Sequence, residues 1–188
     1  NENLVETNET VELTLSAPSD AVLGTQTTTT HTITNDDIAT VTIADVAQPE
    51  GNTGTSIMTF TVIVDNPVQG GFSLNYTTTN LVATTADNDY VAASGTLTFS
   101  GTANESHSIS VTINGDTKVE ADETFQVSFP SAASSTAPGS LIITDNAIGT
   151  ISNDDNAAVT IAAVAQPENG TFTFTATLNN ATIAPFSI

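Results

Sequence analysis

The chain has 188 residues, 21 of them acidic against the single basic side chain of Lys118, for a formal net charge of −20. Such a chain cannot neutralise phosphates, so nucleic acid is excluded as a partner and an anionic lipid surface is disfavoured. It has no Cys, which excludes disulfides, thiolate metal sites and Cys nucleophiles, and it has no run of 18 apolar residues that would insert into a membrane.

Hydrophobic residues make up 38% of the chain but aromatics only 5%, so any core must be mostly aliphatic. The abundant Thr favours strands over helices. The opening, NENLVETNET, carries no leader signal and reads as the interior of a domain.

In chain order, TQTTTTHT (25–32) predicts a Thr-lined strand that ends at TITNDD. Period-2 alternation then recurs. Val41 and Ile43 share a face, as do Phe60, Val62 and Val64. Phe72, Leu74 and Tyr76 follow, then Leu97 and Phe99, then Ile109, Val111 and Ile113. Phe125, Val127 and Phe129 come next, and a last pair of strands is expected around SLIITDNAIGTIS. The opposite faces carry Thr, Ser, Asn and Gln. About seven short strands with one apolar face each predict an all-β, antiparallel, immunoglobulin-like β-sandwich.

The chain also repeats itself. TNDDIATVTIADVAQPE (34–50) returns as SNDDNAAVTIAAVAQPE (152–168), at an offset of 118. VETNETVELTLSAPSDAVLG (5–24) returns from residue 119, and VDNPVQGGFSL (64–74) as LNNATIAPFSI (178–188), both at an offset of 114. A period of about 115 is domain-sized. The expected layout is a sandwich repeated in tandem: residues 1–37 end one unit, 38–155 form a complete unit, and 156–188 open the next. On this reading the chain is a fragment of a longer array.

The carboxylates of the central unit are clustered at strand ends: Glu50, then Asp87 and Asp89, then Asp116, Glu120, Asp122 and Glu123, then Asp154 and Asp155. A sandwich gathers its loops at two ends, so several of these can converge. Converging carboxylates raise one another's pKa, and Lys118 can satisfy only one of them. A Ca²⁺ ion takes 6–8 oxygen ligands at about 2.3–2.6 Å and removes the conflict; Mg²⁺ prefers fewer carboxylates and more water. On this reading the Asn-Asp-Asp ending clamps metal, with one Asp for each of two adjacent ions.

The segment 41–155 resembles the Calx-β domain family. The resemblance runs through VAQPEG, LNYTTTN, TTADNDYVAASGTLTFSG, SISVTINGDTKVEADETFQVSF and GTISNDD, in order. It implies a seven-stranded sandwich with calcium held at one end. Carried over residue by residue, it implies metal ligation by Glu50, Asp89, Asp116, Glu120, Glu123, Asp154 and Asp155. In the flanking partial units the matching positions are Glu6, Glu9, Asp36 and Asp37, and then Glu168. Two departures stand out. Gly115, Asp116 and Thr117 occupy a turn that is often three acids in the family, and Asn153 opens the closing acidic triplet.

His31 and His107 fall in the apolar register of their strands, beside Ile33 and Ile109, with no local acidic partner of catalytic spacing. A structural role is expected for both. Nothing points to a Ser-His-Asp set, and the acids lack the aromatic platform that glycoside hydrolysis would want. The chain is therefore expected not to be an enzyme. The expected function is a calcium-binding structural repeat of an extracellular or cell-surface adhesin or filament, bacterial in origin, with Ca²⁺ stiffening the joints between repeats. Its partners would be neighbouring repeats of the same polypeptide, with surface proteins or glycans as adhesion targets. The alternatives are a calcium-sensing regulatory module and an accessory array of a secreted enzyme.

Overall fold

The computed structural model describes residues 2–131, 134–135, 140–143, 146–185 and 187. Thr144 and Asp145, and the parts of the repeat matches at 132–133, 136–139, 186 and 188, lie outside the described residues.

A sandwich of two sheets occupies the middle of the chain. One sheet has the order β11-β3-β5-β8, from Leu141–Ile143, Ala39–Ile43, Gly54–Val64 and Ser106–Gly115. The other runs β10-β6-β9-β12-β4, from Ser134–Ser135, Phe72–Asn80, Glu123–Ser128, Ala147–Ser152 and Val46–Pro49, with β7 (Ser94–Phe99) also paired to β6. β1 (Glu9–Thr14) and β2 (Thr28–Ile33) form a separate antiparallel pair ahead of it, and β13 (Val159–Ile161) and β14 (Ala176–Leu178) form another behind it.

The alternation read from the sequence is the packing. In β5 the residues Met58, Phe60, Val62 and Val64 are buried, while Thr59, Thr61 and Ile63 between them are exposed. β5 pairs with β8 over ten residues, from Gly54 opposite Gly115 to Ile63 opposite Ser106. Phe60 of one sheet meets Phe125 of the other edge to face, with centroids 6.0 Å apart, and Tyr90 stacks on Phe125 at 4.5 Å. Phe72 and Phe99 stack at 4.4 Å. Burying each of these rings is worth about 2–3 kcal/mol. Gly149 makes room for Phe125: a Cβ there would lie 2.4 Å from the ring.

The first strand segment divides. β3 pairs with β5 and with β11, whereas β4, after a step at Ala44 and Asp45, crosses to the opposite sheet and pairs parallel with β12. Alternation alone could not show this, because both halves keep the same period.

His107 corrects the sequence reading. Its Nε2 lies 3.0 Å from Glu105 Oε1, so it has an acidic partner two residues away. The pair is structural. The His107 ring meets Phe99 edge-on at 4.6 Å. Glu105 also accepts from the N–H of Ser100 at 2.9 Å and of Gly101 at 3.1 Å, tying the β7–β8 turn together. His31 is exposed on β2, opposite Val11.

Candidate metal centre

Strand register brings the acidic residues to one end. β4 and β12 run parallel and finish together, with Ser152 opposite Pro49 and the Glu50 N–H donating to Ser152 O at 3.2 Å. β9 runs antiparallel to β12, so its first residue, Glu123, faces Ile151 at the same end. β8 finishes at Gly115 opposite Gly54, next to the turn that leaves Glu50. The 84–91 loop is held against β8 by the Val91 N–H to Thr112 O at 2.9 Å and the Asn114 N–H to Asp89 O at 3.0 Å. Asp89 is thereby carried to the same edge.

Two groups of three carboxylates result. Glu50, Asp154 and Asp155 each offer an oxygen within 4.8 Å of the others, and so do Asp89, Glu120 and Glu123. Asp154 and Asp155 thus share one group; the second is completed from the other two loops. Asp116 belongs to neither, but its charge acts on Glu50, and its Oδ1 accepts from the Lys118 N–H at 2.7 Å.

The electrostatics are strained in the way the sequence implied. Burial, followed by the charges of Asp116, Glu120, Asp155 and Asp154, pushes the Glu50 carboxyl up to about 7. Burial also pushes Glu123 up to about 7, helped by its hydrogen bond and charge contact with Asp89 and by Glu120, and opposed by Lys118. Glu120 acts on both, so the groups adjoin. Lys118 pairs with Glu120, and that hydrogen bond raises the Lys118 pKa. Glu50 is 7% exposed and Asp155 4%. Glu50 Oε1 and Asp155 Oδ2 are fully buried and accept no hydrogen bond. Leaving a buried carboxylate oxygen without a donor costs about 1–3 kcal/mol, and more when it is charged. All-oxygen donors with two buried oxygens unclaimed fit a hard divalent cation.

Two departures from the family pattern acquire a physical account. Gly115 cannot carry a side chain: a Cβ there would stand 2.1 Å from Gly51 O and 2.8 Å from Glu50 O. Asn153 connects the loops. Its Oδ1 accepts from the Glu120 N–H at 3.3 Å, its N–H donates to Asp122 Oδ1 at 3.1 Å, and its Nδ2 donates to Asp155 O at 3.2 Å. Asn52 donates to Asp155 Oδ1, and the Gly51 N–H to Asp154 Oδ1 at 3.2 Å. Asn52 and the Gly51 amide had no signal in the sequence. Asn153 had one, since Asn35 repeats it.

In the amino-terminal segment Glu6, Asp36 and Asp37 line one cleft with Glu2 and Asn35. Desolvation and the charges of Glu9, Glu2 and Asp37 raise the Glu6 pKa. The Glu6 N–H donates to Asn35 Oδ1 at 3.3 Å, as Glu120 does to Asn153. Among the described residues, Glu6, Glu9, Asp36 and Asp37 form no group as close as the central two, and Glu168 stands exposed in a turn.

A family model for the Calx-beta domain matches residues 36–155. The crystal structure of the apo form of the Calx CBD1 domain matches at 17% identity and a TM-score of 0.49, covering 63% of this chain and all of that one. CBD12 from CALX1.2 matches at 19% identity and a TM-score of 0.51, over 64% of this chain and 49% of that one. The calcium binding domain CBD12 of CALX1.1 matches at 20% identity and a TM-score of 0.49, over 62% and 44%. The chain thus spans about half the length of either CBD12 structure or less. No curated protein matches the chain.

Proposed function

Since the chain belongs to the Calx-beta domain family, we propose that it binds Ca²⁺ at the two carboxylate groups of its central domain and serves as a structural repeat. The ions would be held by Glu50, Asp154 and Asp155 and by Asp89, Glu120 and Glu123, with Asp116 at the rim. The observation that carries this reading is the pair of buried, unclaimed oxygens, Glu50 Oε1 and Asp155 Oδ2, inside a set of acids that holds one lysine. The wider setting is an extracellular or cell-surface adhesin or filament, with neighbouring repeats of the same polypeptide as its first partners. The 114- and 118-residue sequence matches support a tandem arrangement.

Glu120 is one residue from Val119, whose N–H donates to Ala181 O of the following segment at 2.8 Å. An ion drawing Glu120 inward would therefore stiffen that joint, and its removal would loosen it through carboxylate repulsion. Calorimetric titration of the 188-residue chain with Ca²⁺ tests the reading. Binding is expected in the unaltered chain, weakened at least about tenfold in a Glu50→Gln, Asp155→Asn double variant. A folded, unaltered chain that gives no binding heat at millimolar Ca²⁺ would overturn it.

A further inference from the structure

We infer that Val5 is a core residue of the Calx-beta domain supplied from outside it, and that this valine and the 67–69 loop form a plug and socket joining successive segments without metal. Among the described residues ahead of Ala39, Val5 alone is buried; it is fully enclosed and belongs to the same apolar core as Val68, Phe72 and Phe99. Its backbone is also claimed. The Val5 N–H donates to Pro67 O at 2.9 Å, and Val5 O accepts from the Gln69 N–H at 2.8 Å, a parallel bridge opposite Val68.

The socket is held from within the domain. The Val68 N–H donates to Gly101 O at 2.9 Å and the Gly71 N–H to Val68 O at 3.0 Å. Gly71 and Gly101 have φ of +70° and +91°, and a Cβ on Gly101 would lie 2.0 Å from Val68 O. Only glycine permits this close approach, so the loop presents a fixed pair of backbone groups to its partner.

The backbone pairing recurs one period later, at a Val119 that is half-buried. Val119 N–H donates to Ala181 O at 2.8 Å and the Ile183 N–H donates to Val119 O at 3.0 Å, with Val119 bridged parallel to Thr182. The offsets 119 − 5, 181 − 67 and 183 − 69 are each 114. The same residue of the acidic loop thus enters the same loop of the segment that follows. The partner of this surface is a neighbouring domain of the same chain; at Val5 it is closed by two backbone hydrogen bonds and one buried apolar side chain, with Gln69 Nε2 also donating to Glu6 Oε2 at 3.5 Å. None of these requires an ion.

Hydrogen exchange of the whole chain in calcium-free buffer tests this. The Gln69 amide should be protected at least about tenfold over an exposed loop amide, and the central amides of β5 and β8 should be strongly protected. Val5→Ala should abolish the Gln69 protection and speed exchange in β5 and β8 about tenfold or more, because it opens the core. Val11→Ala, an exposed position on β1, should leave both unchanged. A Gln69 amide that exchanges freely in the unaltered chain overturns the inference, and needs no variant. So does a Val5→Ala chain that exchanges like the parent. Loss of calcium binding with Gln69 protection intact would count against the proposed function and leave this joint standing.

Discussion

Asn153 Oδ1 accepts from the Glu120 N–H at 3.3 Å, across 33 residues of chain. One neutral side chain thereby fixes the spacing between the Asp154–Asp155 ending and the loop that supplies Glu120, without offering charge of its own. Asn153→Ala should leave every carboxylate in place and still weaken Ca²⁺ binding about tenfold, as loss of supporting contacts around a metal site does. Calorimetry reads the affinity. Asn153→Ala at parental affinity would remove Asn153 from the site.

The ion-free domain should lose stability as pH rises. Glu50 and Glu123 hold their protons in the folded state up to about 7, against a reference of 4.5. Between those values these two groups hold more protons in the folded chain than in the unfolded one, so their contribution is fullest below pH 4.5 and is lost as pH rises through 7. The loss from Glu50 is on the order of 1–3 kcal/mol. Melting curves in calcium-free buffer from pH 5 to 8 should decline, Glu50→Gln should flatten the decline, and added Ca²⁺ should reverse it.

Glu105 should act with the opposite sign at lower pH. Burial alone would raise its pKa, but hydrogen bonds from the Ser100 N–H, His107, the Ser100 hydroxyl and the Gly101 N–H outweigh that and hold it at about 2. Its contribution is present above 4.5 and is lost as pH falls through 2. Glu105→Ala leaves the turn amides without their acceptor and should cost about 1–2 kcal/mol at neutral pH, measured by urea unfolding. Ca²⁺ affinity should not change.

Gly115→Asp restores an acid where the family turn often has one, yet it should not strengthen binding. The new Cβ would overlap the Gly51 carbonyl oxygen and crowd that of Glu50, 2.1 Å and 2.8 Å away. The expected outcome is a domain destabilised by about 1–3 kcal/mol with weaker Ca²⁺ binding, read by thermal melting and titration together. A tighter site would mean that the 50–53 turn yields easily.

Much of the fold was legible because alternation is local. Val41, Phe60, Val62, Leu74, Phe99, Val111, Phe125 and Ile151 are buried as their period requires. The convergence of Glu50, Glu120, Glu123 and Asp155 was legible once their strand ends were placed. Three things were not. The crossing of β4 to the opposite sheet leaves the period unchanged. Glu105 follows a turn whose amides gather on it only after β7 has paired with β6 and β8 with β5 in the opposite sheet. The burial of Val5 depends on Val68, far along the chain, and nothing in LVET distinguishes Val5 from Val11, which is exposed. Each is a long-range fact, and short sequence windows do not carry it.

The crossing strand also decides how the domain meets a stretching load. β4 lies near the entrance of the domain and β12 near its exit, and they run parallel over four residues, from Val46 opposite Gly149 to Pro49 opposite Ser152. Tension applied at the two ends pulls these strands in opposite directions along their shared axis. Their hydrogen bonds then bear the load together, in shear, instead of opening one after another like a zip. A module wired this way holds its length under traction until the whole patch gives at once.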